Sequence, residues 1–348
     1  MKFDNFFSGK KVLITGHTGF KGSWLTIWLL EMGAKVIGYS LDPYKNGVFD
    51  KANLKEKIVD IRADIRDFSK LENVFVEHKP DIVIHMAAQA ITRHSYDEPR
   101  ETFETNIMGS VNILECIRMH PVKSAVIITS DKCYKNKEIK NGYIESDEMS
   151  DKDPYSCSKG CTELIVGSYR NSFGIKIPSA RAGNVIGGGD WGMDRLVPDI
   201  VRSLKNNEEI AIRNPDSVRP WQFVLEPLSG YLLLAKMQYN GKSVSEGWNF
   251  GPEHDSMVSV KELARMIIKE WRYGKIKYYH DASKKKEAGL LYLNCGKSKK
   301  NLGWKPSVDI AKTVSWIVEW YKNYEKKDAY ALCVKQIKEY EKSGTGKD

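Results

Sequence analysis

Through the first half of the chain, short runs of β-branched and other apolar residues alternate with stretches whose apolar side chains recur every three or four positions. The runs predict strands at Val12 to Thr15, Lys35 to Ser40, Ile58 to Arg62, Ile82 to Met86, Ala125 to Ser130 and Ile175 to Ala180. Between the first two, Trp24 and Leu25 with Trp28, Leu29 and Leu30 make one apolar helical face, and Met32-Gly33 stands where a C-terminal cap belongs. This rhythm is the sequence form of βαβ units around a parallel sheet. Past residue 180 the texture loosens, punctuated by Gly187 to Gly189, Pro198, Pro215, Pro220 and Pro227, which places a domain change near 181. From about Ile310 to Tyr340 an acidic-basic helical pattern predicts a surface helix pair, and no internal repeat or low-complexity segment is present.

Composition narrows the picture. With 348 residues, 41% of them hydrophobic, the chain can bury a large core without covalent staples, so Cys116, Cys133, Cys157, Cys161, Cys295 and Cys333 read as free thiols. Cys157 and Cys161 lie four apart on a predicted helix, but no neighbouring His or second Cys pair completes a metal site, and none is expected. The longest apolar stretches, such as Val126 to Ile128 and Tyr231 to Ala235, fall far short of a membrane span, and the N-terminus reaches its first strand too soon for a signal region. A cytoplasmic protein is expected. The net charge of +9 would suit nucleic acid or an anionic small molecule. Much of the excess sits in Lys284 to Lys286 and in the tail from Lys322 to Lys347, without an aromatic-interleaved basic stripe, which argues against nucleic acid.

The chemistry begins directly after the first strand, where Gly16, Gly19 and Gly22 frame a turn that opens the first helix, with Thr18 and Phe20 inside it. Glycines there allow a tight turn and a close backbone approach, and the helix N-terminus offers unpaired N–H groups to a pyrophosphate. The Gly-x-x-Gly-x-x-Gly spacing resembles the extended short-chain dehydrogenases, whose fold is a Rossmann-type doubly wound parallel sheet with a smaller mixed α/β substrate domain. The resemblance implies an α/β chain with NAD bound by residues 1–180, a return segment near 220–240, and substrate bound mainly by 181–348. An acid commonly ends the second strand in that family; here Ser40 stands eighteen residues after Gly22, with Asp42 two further on. No arginine stands at this strand end to receive a 2′-phosphate, which favours NAD over NADP. By resemblance alone, Asp64 and Ile65 contact adenine, and Ala87 and Ala88 line the cofactor at the fourth strand end.

Tyr155 and Lys159 are one helical turn apart, so an ammonium can draw the phenol's pKa down from about 10 towards neutrality. Such a pair also occurs by chance on surface helices; the glycine turn, five strands and Ser130 before it favour the catalytic reading. After the fifth strand comes Thr129-Ser130-Asp131-Lys132-Cys133-Tyr134. An acid and an amine beside the needed hydroxyl suggest extra proton transfers, against a plainer reading as a turn with a solvated ion pair. The segment resembles the nucleotide-sugar 4,6-dehydratases; Lys as the base resembles the branch acting on CDP-glucose and certain UDP-N-acetylglucosamine dehydratases, and Arg181 to Trp191 looks closer to the former. Position in related enzymes implicates Asn184, Arg195 and Arg219 in binding the nucleotide and diphosphate. The resemblance implies oxidation at C4 with Tyr155 as base, supported by Ser130 and Lys159, then loss of water with Lys132 as base and Asp131 as acid. It also implies a homodimer formed through helices. A 4-epimerase or 4-dehydrogenase using only Ser130, Tyr155 and Lys159 remains the nearest alternative, and a non-catalytic NAD-binding regulator the remote one.

Overall fold

A computed structural model of the chain describes residues 3–149, 152–279 and 290–343. The strands run β1 (Lys11–Thr15), β2 (Lys35–Ser40), β3 (Val59–Arg62), β4 (Ile82–His85), β5 (Ser124–Ile128), β6 (Ser179–Ala182) and β7 (Val185–Ile186). They continue with β8 (Ile210–Arg213), β9 (Val218–Pro220), β10 (Gln222–Phe223), β11 (Gly247–Phe250), β12 (Met257–Ser259) and β13 (Ile276–Tyr279). Among the helices are α1 (Phe20–Glu31), α2 (Val48–Lys51), α3 (Phe68–His78), α4 (Thr92–Asp97), α5 (Pro99–Phe103), α6 (Gly109–Met119) and α7 (Pro154–Phe173). The later ones are α8 (Leu196–Lys205), α9 (Leu225–Tyr239), α10 (Val260–Trp271), α11 (Gly296–Leu302), α12 (Ile310–Asn323) and α13 (Ala329–Ser343).

Seven strands form one parallel sheet in the order β11-β6-β5-β4-β1-β2-β3. The central strands β1, β4 and β5 are buried on both faces, which is why they read as apolar runs, whereas the edge strand β3 is only partly covered. Val12, Ile14, Ile82, Ile84, Val126 and Ile128 face one core with α1 and α9, while Leu13, Ile37, Val83, Ala125 and Ile127 face a second core with α3, α6 and α7. Strand order reverses between β1 and β4, so the carboxyl ends of those strands open a crevice at a topological switch point.

The second half of the chain returns to this sheet: α9 lies against β4, β5 and β6, and β11 pairs with β6 as the edge strand. Position 181 therefore falls inside β6. That strand starts four residues later than the sequence pattern predicts. Gly174, in the left-handed region, ends α7, and Pro178 has no N–H to give a ladder, so 175–178 is a connection.

The C-terminal helices also depart from expectation. Rather than lying on the surface, α12 buries Trp316, Ile317, Trp320 and Tyr321. The Gly187–Gly189 loop presses on this face: a Cβ at Gly188 would lie 2.2 Å from the Trp320 ring, and Trp24 Nε1 donates to the Gly188 carbonyl at 2.9 Å. Lys284 to Lys286, and Lys347 at the end of the basic tail, lie outside the described residues. All six cysteines are free thiols. Among the described residues no group of three or more His, Cys, Asp or Glu could hold a metal ion, and no helix is long and apolar enough to cross a membrane.

Candidate active site

β1 hands the chain to Gly16, whose φ of +77° and close neighbours exclude a side chain: a Cβ there would lie 2.8 Å from the Ala87 nitrogen. At Gly22 a Cβ would lie 2.1 Å from the Gly16 carbonyl oxygen. Gly19 differs, because its φ is −71° and its nearest neighbour, the same oxygen, is at 3.4 Å. The protein's own packing thus requires glycine at 16 and 22 but not at 19, where the open space faces the start of α1. That helix has no side-chain cap and no acid in its first turn, whereas Asp67, Asp153, Ser259 and Asp309 cap α3, α7, α10 and α12. Bare N–H groups over an unfilled glycine fit a dinucleotide's pyrophosphate.

Around this turn, Thr18 Oγ1 and Ser40 Oγ share a hydrogen bond of 2.8 Å, and Thr18 donates to the Leu41 carbonyl at 3.0 Å. Asp42 projects outward, 92% exposed, 3.9 Å from Arg62. The expectation that no arginine stands at the β2 end holds along the chain and fails in space, because parallel pairing sets Arg62 of β3 beside Ser40. Asp64 pairs with Arg66 at 2.6 Å, and this hydrogen bonding holds its carboxyl below the usual range. Ile65 is buried against Gly109, Phe20 is half-buried beside Gly187, and Ala87 N–H donates to Thr15 Oγ1 at 3.2 Å with the half-buried Ala88 next in line.

Across the crevice, Asp153 caps α7 by accepting from Ser156 N–H at 2.9 Å, and Pro154 occupies the first turn. The cap fixes Tyr155 and Lys159 one turn apart, both buried. The expected drop of the Tyr155 pKa is not found in the protein alone. Burial pushes the phenol up to about 12, partly opposed by a hydrogen bond with Ser130, while the Lys159 ammonium lies 6.0 Å from the centre of the Tyr155 ring. Burial also brings Lys159 down to about 8, with Glu163 opposing. Desolvation outweighs the attraction between neighbouring groups here.

After β5, Asp131 and Cys133 enclose a single 3₁₀ turn. Ser130 Oγ donates to Asp131 Oδ1 at 2.8 Å, and burial raises the Asp131 carboxyl above its ordinary value despite the charge of half-buried Lys132. Among the described residues no ion pair joins Asp131 to Lys132, although the Lys132 charge acts on the buried Asp131 carboxyl. Gly183 makes room for the acid, since a Cβ there would lie 2.9 Å from Asp131 Oδ2.

The three residues assigned by position lie on different elements. Arg195 precedes α8 and pairs with Asp190 at 3.0 Å; Arg219 sits on β9, and its charge acts on Asp131; Asn184 links β6 to β7 and accepts from Gln222 N–H at 3.0 Å through its carbonyl. Arg195 also acts electrostatically on Tyr155, which brings it to the same crevice. Asn184 is held in place through its main chain.

Sequence reasoning missed several neighbours. Lys21 is brought down to about 7, first by burial and then by the like charges of Lys159 and Arg195; its ammonium donates to Tyr231 OH at 3.4 Å. A lysine inside a glycine turn is the signal that could have found it. Beneath Lys159, Glu163 receives Thr129 Oγ1 at 2.5 Å, Ser179 Oγ at 2.7 Å and Arg181 Nη2 at 2.8 Å. Arg181 Nη1 also donates to Tyr134 OH at 2.6 Å, so one buried pair ties α7, β6 and the loop after β5 together.

The GDP-mannose 4,6 dehydratase family matches residues 13–317. Over 349 residues, covering 97% of each chain, the protein is 46% identical to a CDP-glucose 4,6-dehydratase of Salmonella typhimurium. A dTDP-glucose 4,6-dehydratase from Streptomyces venezuelae, solved with NAD bound, shares the fold at a TM-score of 0.80, with 23% identity over 92% of this chain and 99% of that one. A UDP-glucose 4-epimerase from Thermotoga maritima, solved with UDP-glucose, gives a TM-score of 0.79 with 25% identity over 91% and 100%. With the glycine turn, the Tyr155–Lys159 pair and a match along most of its length, the chain belongs to the GDP-mannose 4,6-dehydratase family.

Proposed function

We infer that the protein is a nucleotide-sugar 4,6-dehydratase that converts CDP-glucose to CDP-4-keto-6-deoxyglucose. The observation that carries this reading is Asp131-Lys132 directly after Ser130, an acid beside an amine in the crevice that holds Tyr155 and Lys159. A relative 46% identical bears the same activity in its name. NAD, when bound, supplies an acceptor for hydride from C4 and later a donor of hydride to C6. Gly16, Thr18, Gly19, Phe20 and Gly22 would hold its pyrophosphate, Ser40 and Asp42 its adenosine ribose, and Asp64 and Ile65 its adenine. Ala87, Ala88, Tyr155 and Lys159 would border the nicotinamide half. Asn184, Arg195 and Arg219 would hold the sugar nucleotide, so that 1–180 mainly serves the cofactor and 181–348 the substrate.

Tyr155 takes the proton of the 4-hydroxyl, with Ser130 hydrogen-bonded to the same oxygen and Lys159 favouring the phenolate. The resulting ketone acidifies the C5 proton, which Lys132 removes as an amine while Asp131 protonates the departing 6-hydroxyl. After hydride reaches C6, Lys132 returns its proton to C5. Once Lys132 has released its own proton to solvent, the proton account closes through Ser130, which is hydrogen-bonded to both Tyr155 and Asp131. Phenol with carboxylate and phenolate with carboxylic acid hold the same number of protons, so one shift along this chain prepares base and acid together. Burial, which raises Asp131, favours the acid form that elimination needs.

The enzyme would work in the cytoplasm as a homodimer formed through helices. The test offers CDP-, dTDP-, UDP- and GDP-glucose separately with NAD, identifying products by mass and NMR. Loss of water from CDP-glucose is expected; an epimer of unchanged mass, or a ketone that keeps the 6-hydroxyl, would overturn the assignment.

A further inference from the structure

We propose that the end of β2 holds a subsite for the 2′-phosphate of an adenosine ribose, with Arg62 as its anion donor, so that the crevice accepts NADP as well as NAD. This rests on the reading above that the crevice takes a nicotinamide dinucleotide. Preference for NAD ordinarily comes from a carboxylate at the end of β2, which accepts from the ribose 2′-hydroxyl and repels a phosphate. That position is Ser40, a hydroxyl engaged with Thr18. The next acid, Asp42, is 92% exposed and therefore well solvated.

Arg62 is the residue paired with Ser40 in the parallel register. Its Nε and Nη2 both donate to Asp60 Oδ2 at 3.0 Å, and its Nη1 donates to the Leu41 carbonyl at 3.2 Å. The guanidinium carbon lies 4.7 Å from the centre of the Phe49 ring. The other Asp60 oxygen is 2.7 Å from His17 Nε2, inside the glycine turn, so this carboxylate faces inward and braces the arginine. Among the described residues three of the five guanidinium N–H groups are thus hydrogen-bonded, leaving one on Nη2 and one on Nη1, the latter nitrogen 3.9 Å from the exposed Asp42 carboxylate. The side chain is only 28% exposed. A planar fork held in place and partly dried is suited to phosphate oxygens, because little rotamer freedom remains to be lost.

The test titrates the purified apoprotein calorimetrically with NAD⁺ and NADP⁺, and with 5′-ADP against 2′,5′-ADP to isolate the added phosphate. NADP⁺ is expected to bind within about 10-fold of NAD⁺. Arg62→Ala should weaken NADP⁺ and 2′,5′-ADP by roughly 10- to 100-fold, the loss of one or two charge-assisted hydrogen bonds, and shift the NAD⁺ affinity far less. Ser40→Asp, which leaves Arg62 in place, should lower the affinity for NADP⁺ relative to NAD⁺ by at least about 10-fold through repulsion. The subsite is overturned if wild-type protein binds NAD⁺ but not NADP⁺, or if both substitutions leave the NADP⁺-to-NAD⁺ ratio unchanged. Failure to bind either dinucleotide overturns the reading of the crevice itself, and the subsite with it.

Discussion

Replacing Gly19 by valine separates what the fold needs from what a ligand needs. The backbone at 19 is extended, with φ −71° and ψ 169°, which valine adopts readily, and a Cβ there meets only the Gly16 oxygen at 3.4 Å. Loss of glycine's freedom in the unfolded chain is worth about 0.4–1 kcal/mol in favour of the variant. The apoprotein melting temperature should therefore move by no more than about 2–4 °C. The branched side chain, however, would stand over the uncapped start of α1 and keep a pyrophosphate away. Losing two charge-assisted hydrogen bonds at about 1.5–3 kcal/mol each gives roughly 3–6 kcal/mol, or about 10²- to 10⁴-fold in the NAD⁺ dissociation constant. Gly22→Ala is the contrasting control, since its Cβ would fall 2.1 Å from backbone and should destabilise even the apoprotein, by about 1–3 kcal/mol. Calorimetric titration and thermal melts of both variants provide the readout. Wild-type NAD⁺ affinity in Gly19→Val, or collapse of its apoprotein, would refute the reasoning.

Three further outcomes are expected. Tyr155→Phe should slow reduction of bound NAD⁺ by CDP-glucose about 10²- to 10⁴-fold in a single turnover, and a rate near wild type would remove Tyr155 as the base. Glu163→Gln should leave Arg181 buried without its charge partner and cost about 3–5 kcal/mol in urea unfolding, whereas an unchanged midpoint would mean that the pair contributes nothing. His85, which burial lowers to about 3, binds no proton in the folded protein between that value and 6.5, while the unfolded chain does. Its contribution is therefore present above pH 6.5 and lost as the pH falls towards 3; His85→Gln should flatten that acid limb in unfolding curves, and an identical limb would dismiss the group.

The sheet was legible because strands buried on both faces must be apolar throughout, as Val12 to Ile14 and Ile82 to Ile84 are. β11 was not, since Gly247-Trp-Asn-Phe250 carries no β-branched run and is defined only by pairing with β6. The lysines of the last helices suggested a surface pair, while Trp316 and Trp320 on their inner side proved decisive. In the site, the glycine turn and the Tyr155–Lys159 spacing are local and could be read directly. Arg62 beside Ser40 depends on strand register, Gly183 against Asp131 on the meeting of two loops, and the raised Tyr155 pKa on burial, none of which a linear pattern states.

The central claim is that Asp131 and Lys132 perform elimination and are not needed for oxidation. Asp131→Asn keeps the size of the side chain without its acid proton, and Lys132→Met keeps most of the stem without the amine. A single turnover of each variant with CDP-glucose, following nicotinamide absorbance and the mass of the quenched product, tests the claim most directly. Bound NAD⁺ should still be reduced while loss of water slows by about 10²-fold or more; dehydration at the wild-type rate in both variants would contradict the claim.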